Sequence, residues 1–213
     1  MRANSIAIAT CAALLVAASA SWANSFTEIG DATDLAPGQT VEGVGVVNSI
    51  FGSFDFVGDA DLYRITIFDA SIFSVATSSS FRDPQLWLFD MGGVGIAHND
   101  DFESPASFLS KFPAGDPAYS GLPAGDYLLG ISAWNNDPVD ASDNPLFPVT
   151  ASPNVEGPIN TNPLAGWTNI GGTGNYELLL QGARFSRQIP EPSAAVLFAV
   201  GFGVAGLKQR RRR

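Results

Sequence analysis

Asp59 and Asp61 stand two apart in Gly58-Asp59-Ala60-Asp61-Leu62-Tyr63-Arg64-Ile65, and about forty residues later His98-Asn99-Asp100-Asp101 sets three oxygen-bearing side chains beside the chain's single histidine. In an extended segment residues i and i+2 project to the same side, so Asp59 and Asp61 can both reach one cation. The His98 to Asp101 cluster falls in a turn after an expected strand. Hard carboxylate and amide oxygens gathered this way suit calcium. Asp59, Asp61, Asn99, Asp100 and Asp101 are therefore the candidate calcium ligands, and calcium is the one cofactor the sequence suggests. The competing reading is structural, because Asp and Asn in turns commonly bond to their own backbone.

Other chemistry is thinly represented. His98 lies next to two carboxylates and could serve as a base, but there is no Gly-x-Ser-x-Gly elbow, and Cys11 falls in the N-terminal apolar run. A histidine without a nucleophile to activate reads as a surface-turn residue. Carboxylate pairs are plentiful, yet a glycosidase needs two acids facing each other across a cleft, which sequence does not reveal. Gly93-Val94-Gly95 and Gly171-Gly172-Thr173-Gly174 lack the downstream residues of phosphate loops and read as turns. The leading expectation is a non-enzymatic protein. The alternative is a glycan-binding module or weak glycan hydrolase, with Trp87, Trp134 or Trp167 as a stacking platform for sugar rings.

Charge narrows the partners. Between Asn24 and Ile189 the 20 acidic residues face 5 basic ones, Arg64, Arg82, Lys111, Arg184 and Arg187, leaving fifteen net negative charges. Such a surface repels nucleic acid and anionic lipid and attracts cations.

The elements that must position these residues are strands. Leu62 to Phe68 alternates, with Tyr63, Ile65 and Ile67 on one face and Arg64 and Thr66 on the other. Gln85 to Phe89 repeats the pattern with Leu86 and Leu88. Gly125 to Trp134 places Tyr127, Leu129, Ile131 and Ala133 on one face and Leu128, Gly130, Ser132 and Trp134 on the other. Thr40 to Val47, Ile72 to Thr77, Gly95 to Ala97 and Tyr176 to Leu180 complete the set, separated by Gly, Pro, Asp and Asn clusters. The expected fold is all-β, an antiparallel jelly-roll-like β-sandwich over residues 24 to 189. Residues 135 to 175 carry Pro138, Pro145, Pro148, Pro153, Pro158 and Pro163 with little strand pattern, and read as a long loop region. Phe147 and Trp167 are expected to pin that region to the sandwich, the other reading being exposure for a ligand.

Both ends carry addresses. Arg2, the apolar stretch Ile6 to Ala20 and Ser21-Trp22-Ala23 have the layout of a secretory signal peptide over residues 1 to 23, cut before Asn24. If it is removed, the mature protein has no cysteine and relies on its core. At the other end Pro190-Glu191-Pro192 precedes the apolar run Ser193 to Leu207, expected to be a transmembrane helix. Its 15 residues are fewer than a full bilayer span, but the basic tail Lys208 to Arg213 extends it. Cationic clusters stay on the cytoplasmic side, so the body is expected outside.

Ile189-Pro190-Glu191-Pro192-Ser193, the apolar run and the arginine-rich terminus together resemble the PEP-CTERM sorting signal. The resemblance implies recognition and cutting by an exosortase-type enzyme at Pro190, Glu191 and Pro192, transient residence in the inner membrane of a Gram-negative bacterium, and delivery to the cell surface or to an exopolysaccharide or biofilm matrix. A second resemblance rests on Asp59 to Ile65, Asp83-Pro84-Gln85-Leu86-Trp87-Leu88-Phe89-Asp90, Gly95 to Asp101 and Pro123-Ala124-Gly125-Asp126-Tyr127-Leu128-Leu129-Gly130-Ile131. In that order these are similar to the bacterial pre-peptidase C-terminal domain, a non-catalytic jelly-roll module. No peptidase precedes it here, and the long loop region departs from that compact module.

Overall fold

The computed structural model describes residues 24–78, 83–102, 106–149 and 152–189. The expected signal peptide, Pro190 to Pro192, the apolar run and the basic tail lie outside the described residues. Among those described there is no helix, and none therefore long and apolar enough to cross a membrane.

The described residues form sixteen strands in order: β1 (Ser25–Thr27), β2 (Gln39–Thr40), β3 (Glu42–Gly43), β4 (Ser49–Phe54), β5 (Ala60–Ile67), β6 (Ser74–Thr77), β7 (Pro84–Phe89), β8 (Gly95–Asp100), β9 (Lys111–Phe112), β10 (Gly125–Ala133), β11 (Pro138–Val139), β12 (Ser152–Glu156), β13 (Gly166–Trp167), β14 (Gly174–Gln181), β15 (Ala183–Phe185) and β16 (Arg187–Gln188). One sheet runs β1-β4-β14-β6-β9. The other runs β12-β8-β7-β10-β5-β15, with β2 beside β5. The long pairings are antiparallel, whereas β1·β4, β2·β5 and β16·β3 are short parallel pairs that the expected wholly antiparallel sandwich did not include.

The two sheets face each other across one core. Ile50, Val75, Tyr176, Leu178 and Leu180 come from the first sheet, and Tyr63, Ile65, Ile67, Leu86, Leu88, Leu129 and Ile131 from the second. The alternation read from sequence in β5 and β10 gives these inward faces. The four motifs of the second resemblance fall on β5, β7, β8 and β10, which are adjacent strands in the order β8-β7-β10-β5.

Strand β7 is buried along its whole length and β10 along most of it. The cause is a second apolar cluster on the outer face of that sheet, where Leu62, Trp87, Phe89 and Leu128 meet Leu146, Phe147 and Trp167. The proline-rich segment after Asn135 is therefore a third layer, closed on itself by β11·β13 and tied to the sheet by β12 pairing with β8. Pinning by Phe147 and Trp167 is the reading the structure bears out, each burial contributing roughly 2 to 3 kcal/mol.

Two strand expectations change. Thr40 to Val47 is not one strand: only β2 and β3 form there, and Gly45, at φ 79°, turns the chain while Val41 and Val47 stay buried. His98, Asn99 and Asp100 belong to β8 and not to a turn; Asp101, at φ 62°, is the first residue past it.

Candidate functional site

The candidate calcium ligands do not form one site. Strand alternation puts Asp61 on the inward face of β5 with Tyr63, Ile65 and Ile67, at one end of the sandwich. Asp100 lies on the outer face of β8 beside Gln85 of β7. Asn99 faces the other way and is spent on structure. Its Nδ2 donates to the carbonyls of Ser152 and Asn154 at 3.2 and 3.0 Å, and its Oδ1 accepts from the Lys111 amide at 2.7 Å.

Around Asp61 the structure adds residues that sequence reasoning passed over. Glu28, immediately after β1, and Asp31, in the turn that follows, each bring a carboxylate oxygen within 4.8 Å of the other's and of one from Asp61. The parallel register Phe26↔Ile50 carries Glu28 to the mouth of the sandwich. Its two oxygens accept from the amides of Ala32 at 2.7 Å and Ser53 at 2.8 Å, which fixes its orientation. Asp31 is exposed. Asp61 is fully buried; its Oδ2 accepts from the Tyr176 hydroxyl, which sits 2.6 Å from the Tyr63 hydroxyl, while its Oδ1 has no hydrogen-bond partner. Gly52 of β4 makes room for this pair: a Cβ there would fall on both tyrosine hydroxyls.

Electrostatics at this end runs in one direction. Burial, followed by the charges of Glu28, Asp59 and Asp31, pushes the Asp61 carboxyl up to about 9 against the pull of the Tyr176 hydroxyl. Burial also raises Glu28, Asp31 and Asp59. Asp59 is not in the group of three. Its Oδ2 accepts from the Asp55 amide at 2.6 Å, the local turn bond that competes with metal ligation.

The second acidic group joins Asp100 and Asp101 to Asp83, which immediately precedes β7; an oxygen of each lies within 4.8 Å of the others. Gln85 Nε2 donates to Asp137 Oδ1 at 3.3 Å and stands 3.5 Å from Asp100 Oδ2. Burial first, then Asp101, Asp83 and Asp137, pushes Asp100 up to about 7.

His98 is a correction. It is buried beneath the third layer, stacked on Trp87 at 4.0 Å and 13° and packed against Phe147, and burial alone lowers its ring to about 3. The surface-turn reading fails because the segment after Asn135 covers that face. Trp87 and Trp167 are likewise closed to a sugar ring: Trp87 Nε1 donates to Ser132 Oγ at 2.9 Å and Trp167 Nε1 to the Asp34 carbonyl at 2.8 Å, both rings being buried. Trp134, 54% exposed, is the one of the three open to solvent.

Residues 188–213 match the PEP-CTERM protein-sorting motif. The match opens at Gln188 in β16, so the sorting segment begins on the final strand, which pairs with β3 beside the sandwich. It is the motif of exported proteins whose precursors are anchored in a membrane and processed by an exosortase-type enzyme. No curated protein matches the chain.

Proposed function

We propose that this exosortase-sorted chain is a non-enzymatic protein of the cell surface or extracellular matrix of a Gram-negative bacterium, where its acidic sandwich associates with exopolysaccharide and contributes to biofilm. The observation that carries the reading is the sorting motif joined directly to the final strand: the segment that addresses the protein and the domain it delivers share Gln188. The sandwich then acts as a jelly-roll-like module of the pre-peptidase C-terminal type, a reading supported by the four motifs sitting on four adjacent strands. The fate of His98 supports a non-catalytic role. A general base must reach its substrate's proton, and this ring is sealed between Trp87 and Phe147.

Deleting residues 190–213 tests the proposal. The truncated protein is expected to be exported and folded, with an unchanged circular dichroism spectrum, but to be lost from the surface fraction into the medium or periplasm. Retention at the surface would overturn it.

A second reading, glycan binding, has one observation in its favour. Trp134 is exposed at the end of β10, where Asn136 Nδ2 donates to the carbonyls of Gly58 and Asp59 and its Oδ1 accepts from the Asn169 amide; Phe56, Val57 and Ile170, on the segments so joined, are also exposed. Exposed aromatics at a loop cluster can stack on sugar rings. Binding to the producing cell's own polysaccharide that Trp134→Ala removes would support this reading, and binding unaffected by that change would exclude it.

A further inference from the structure

We propose that Glu28, Asp31 and Asp61 hold a calcium ion at the end of the sandwich. The inference goes beyond the sorting reading and does not depend on it, since a metal site in the sandwich and a sorting signal in the tail can fail separately.

Geometry supplies the first argument. Calcium binds oxygens at about 2.3 to 2.6 Å, so two oxygens on one ion stand at most about 5 Å apart. The three carboxylates meet that limit at 4.8 Å. They come from three places in the chain, the end of β1, the turn after it and the start of β5, and so are brought together by the fold and not by a local run of acids.

Asp61 supplies the second, independent argument. Its Oδ1 is fully buried and unpartnered, whereas its Oδ2 already accepts from Tyr176, which in turn neighbours Tyr63. Protonation leaves this deficit in place: a proton on Oδ2 is donated to the Tyr176 hydroxyl, which turns to Tyr63, and Oδ1 still has no partner. An ionised Asp61 also lacks a protein counter-charge, because Glu28, Asp59 and Asp31 around it are all acidic. The described basic side chains are engaged elsewhere: Arg64 with Asp126, Arg187 with Glu42, Lys111 over Phe102 and Arg184 over Phe68. A divalent cation answers both deficits, giving Oδ1 a partner and the group its positive charge. Hydrogen bonds from Ala32 and Ser53 hold Glu28 in the orientation a ligand needs. Asp31, being exposed, leaves a path from solvent and room for water ligands.

The test uses the full chain purified in detergent and stripped with a chelator. Isothermal titration with calcium chloride is expected to show saturable binding below millimolar concentration, accompanied by a rise in melting temperature. Asp31→Asn, at an exposed position, is expected to weaken calcium binding about tenfold or more, and Asp61→Asn, which keeps an acceptor for Tyr176, to abolish it. Asp100→Asn, in the other acidic group, is expected to leave this binding unchanged. Should Asp61→Asn fail to fold, Asp31→Asn decides alone. Absence of calcium binding up to several millimolar, or wild-type affinity in Asp31→Asn, or loss of binding in Asp100→Asn with Asp31→Asn unaffected, would overturn the proposal.

Discussion

Trp167→Ala probes the third layer directly. The indole is buried against Trp87, with ring centroids 6.0 Å apart and planes at 72°, and its Nε1 donates to the Asp34 carbonyl at 2.8 Å. Removing a buried Trp costs about 3 to 5 kcal/mol through lost apolar contact and the cavity left behind. The carbonyl that loses its donor adds about 1 kcal/mol if water does not replace it. For a domain of this size each kcal/mol moves the melting temperature by roughly 2 to 4 °C, so a fall of about 10 to 20 °C is expected. The change should also loosen residues 135 to 175, seen as faster proteolysis and amide exchange there. Trp134→Ala, at an exposed position, is the control and should stay within about 0.5 kcal/mol of wild type. A Trp167→Ala protein melting within 2 °C of wild type, with residues 135 to 175 still protected, would refute the claim that this ring fastens the outer layer to the sheet.

Three further outcomes follow from the same contacts. His98 is held neutral, with its ring lowered from 6.5 to about 3, so the unfolded chain binds a proton that the folded one refuses. Its contribution is full above pH 6.5 and is lost as pH falls toward 3, by about 1.4 kcal/mol per unit, or 2 to 3 kcal/mol at pH 4.5; His98→Phe keeps the stack and should gain about that much on wild type between pH 6.5 and 4.5 in denaturant unfolding, and parallel curves would contradict this. Gly52→Ala would drive a methyl into the Tyr63 and Tyr176 hydroxyls and is expected to cost about 1 to 3 kcal/mol in urea unfolding, with an unchanged midpoint as the contrary result. Arg64→Ala breaks an ion pair to Asp126 that is partly open to water, and should cost no more than about 1 kcal/mol; a larger loss in the same unfolding assay would mean the pair is coupled to the core through Thr66.

How far the sequence reached depended on which face was in question. Inward faces were legible, because Tyr63, Ile65 and Ile67 or Tyr127, Leu129 and Ile131 alternate without interruption. Strand β4 was not, since its inward positions are Ile50, Gly52 and Phe54 while Phe51 points out. The glycine demanded by two tyrosine hydroxyls erases the signal that would have marked the strand. Outer faces were misjudged for a different reason: His98 and Trp87 are buried by a segment some fifty residues downstream, and proline-rich loops carry no periodicity to announce where they land. The metal candidates were partly legible. Asp61 shares its parity with the apolar residues of β5, a cue that its carboxylate turns inward. Glu28 and Asp31 carried no such cue, because a three-residue parallel pairing brings them there. The sorting motif was legible, being a linear signal that needs no fold to be read.

Intact mass and fractionation of the native product from the producing cells test the central claim most directly. The account predicts a polypeptide trimmed near Asn24 and again near Pro190, recovered from the cell surface or the polysaccharide matrix. A full-length chain with both termini intact, dissolved in the cytosol, would contradict it.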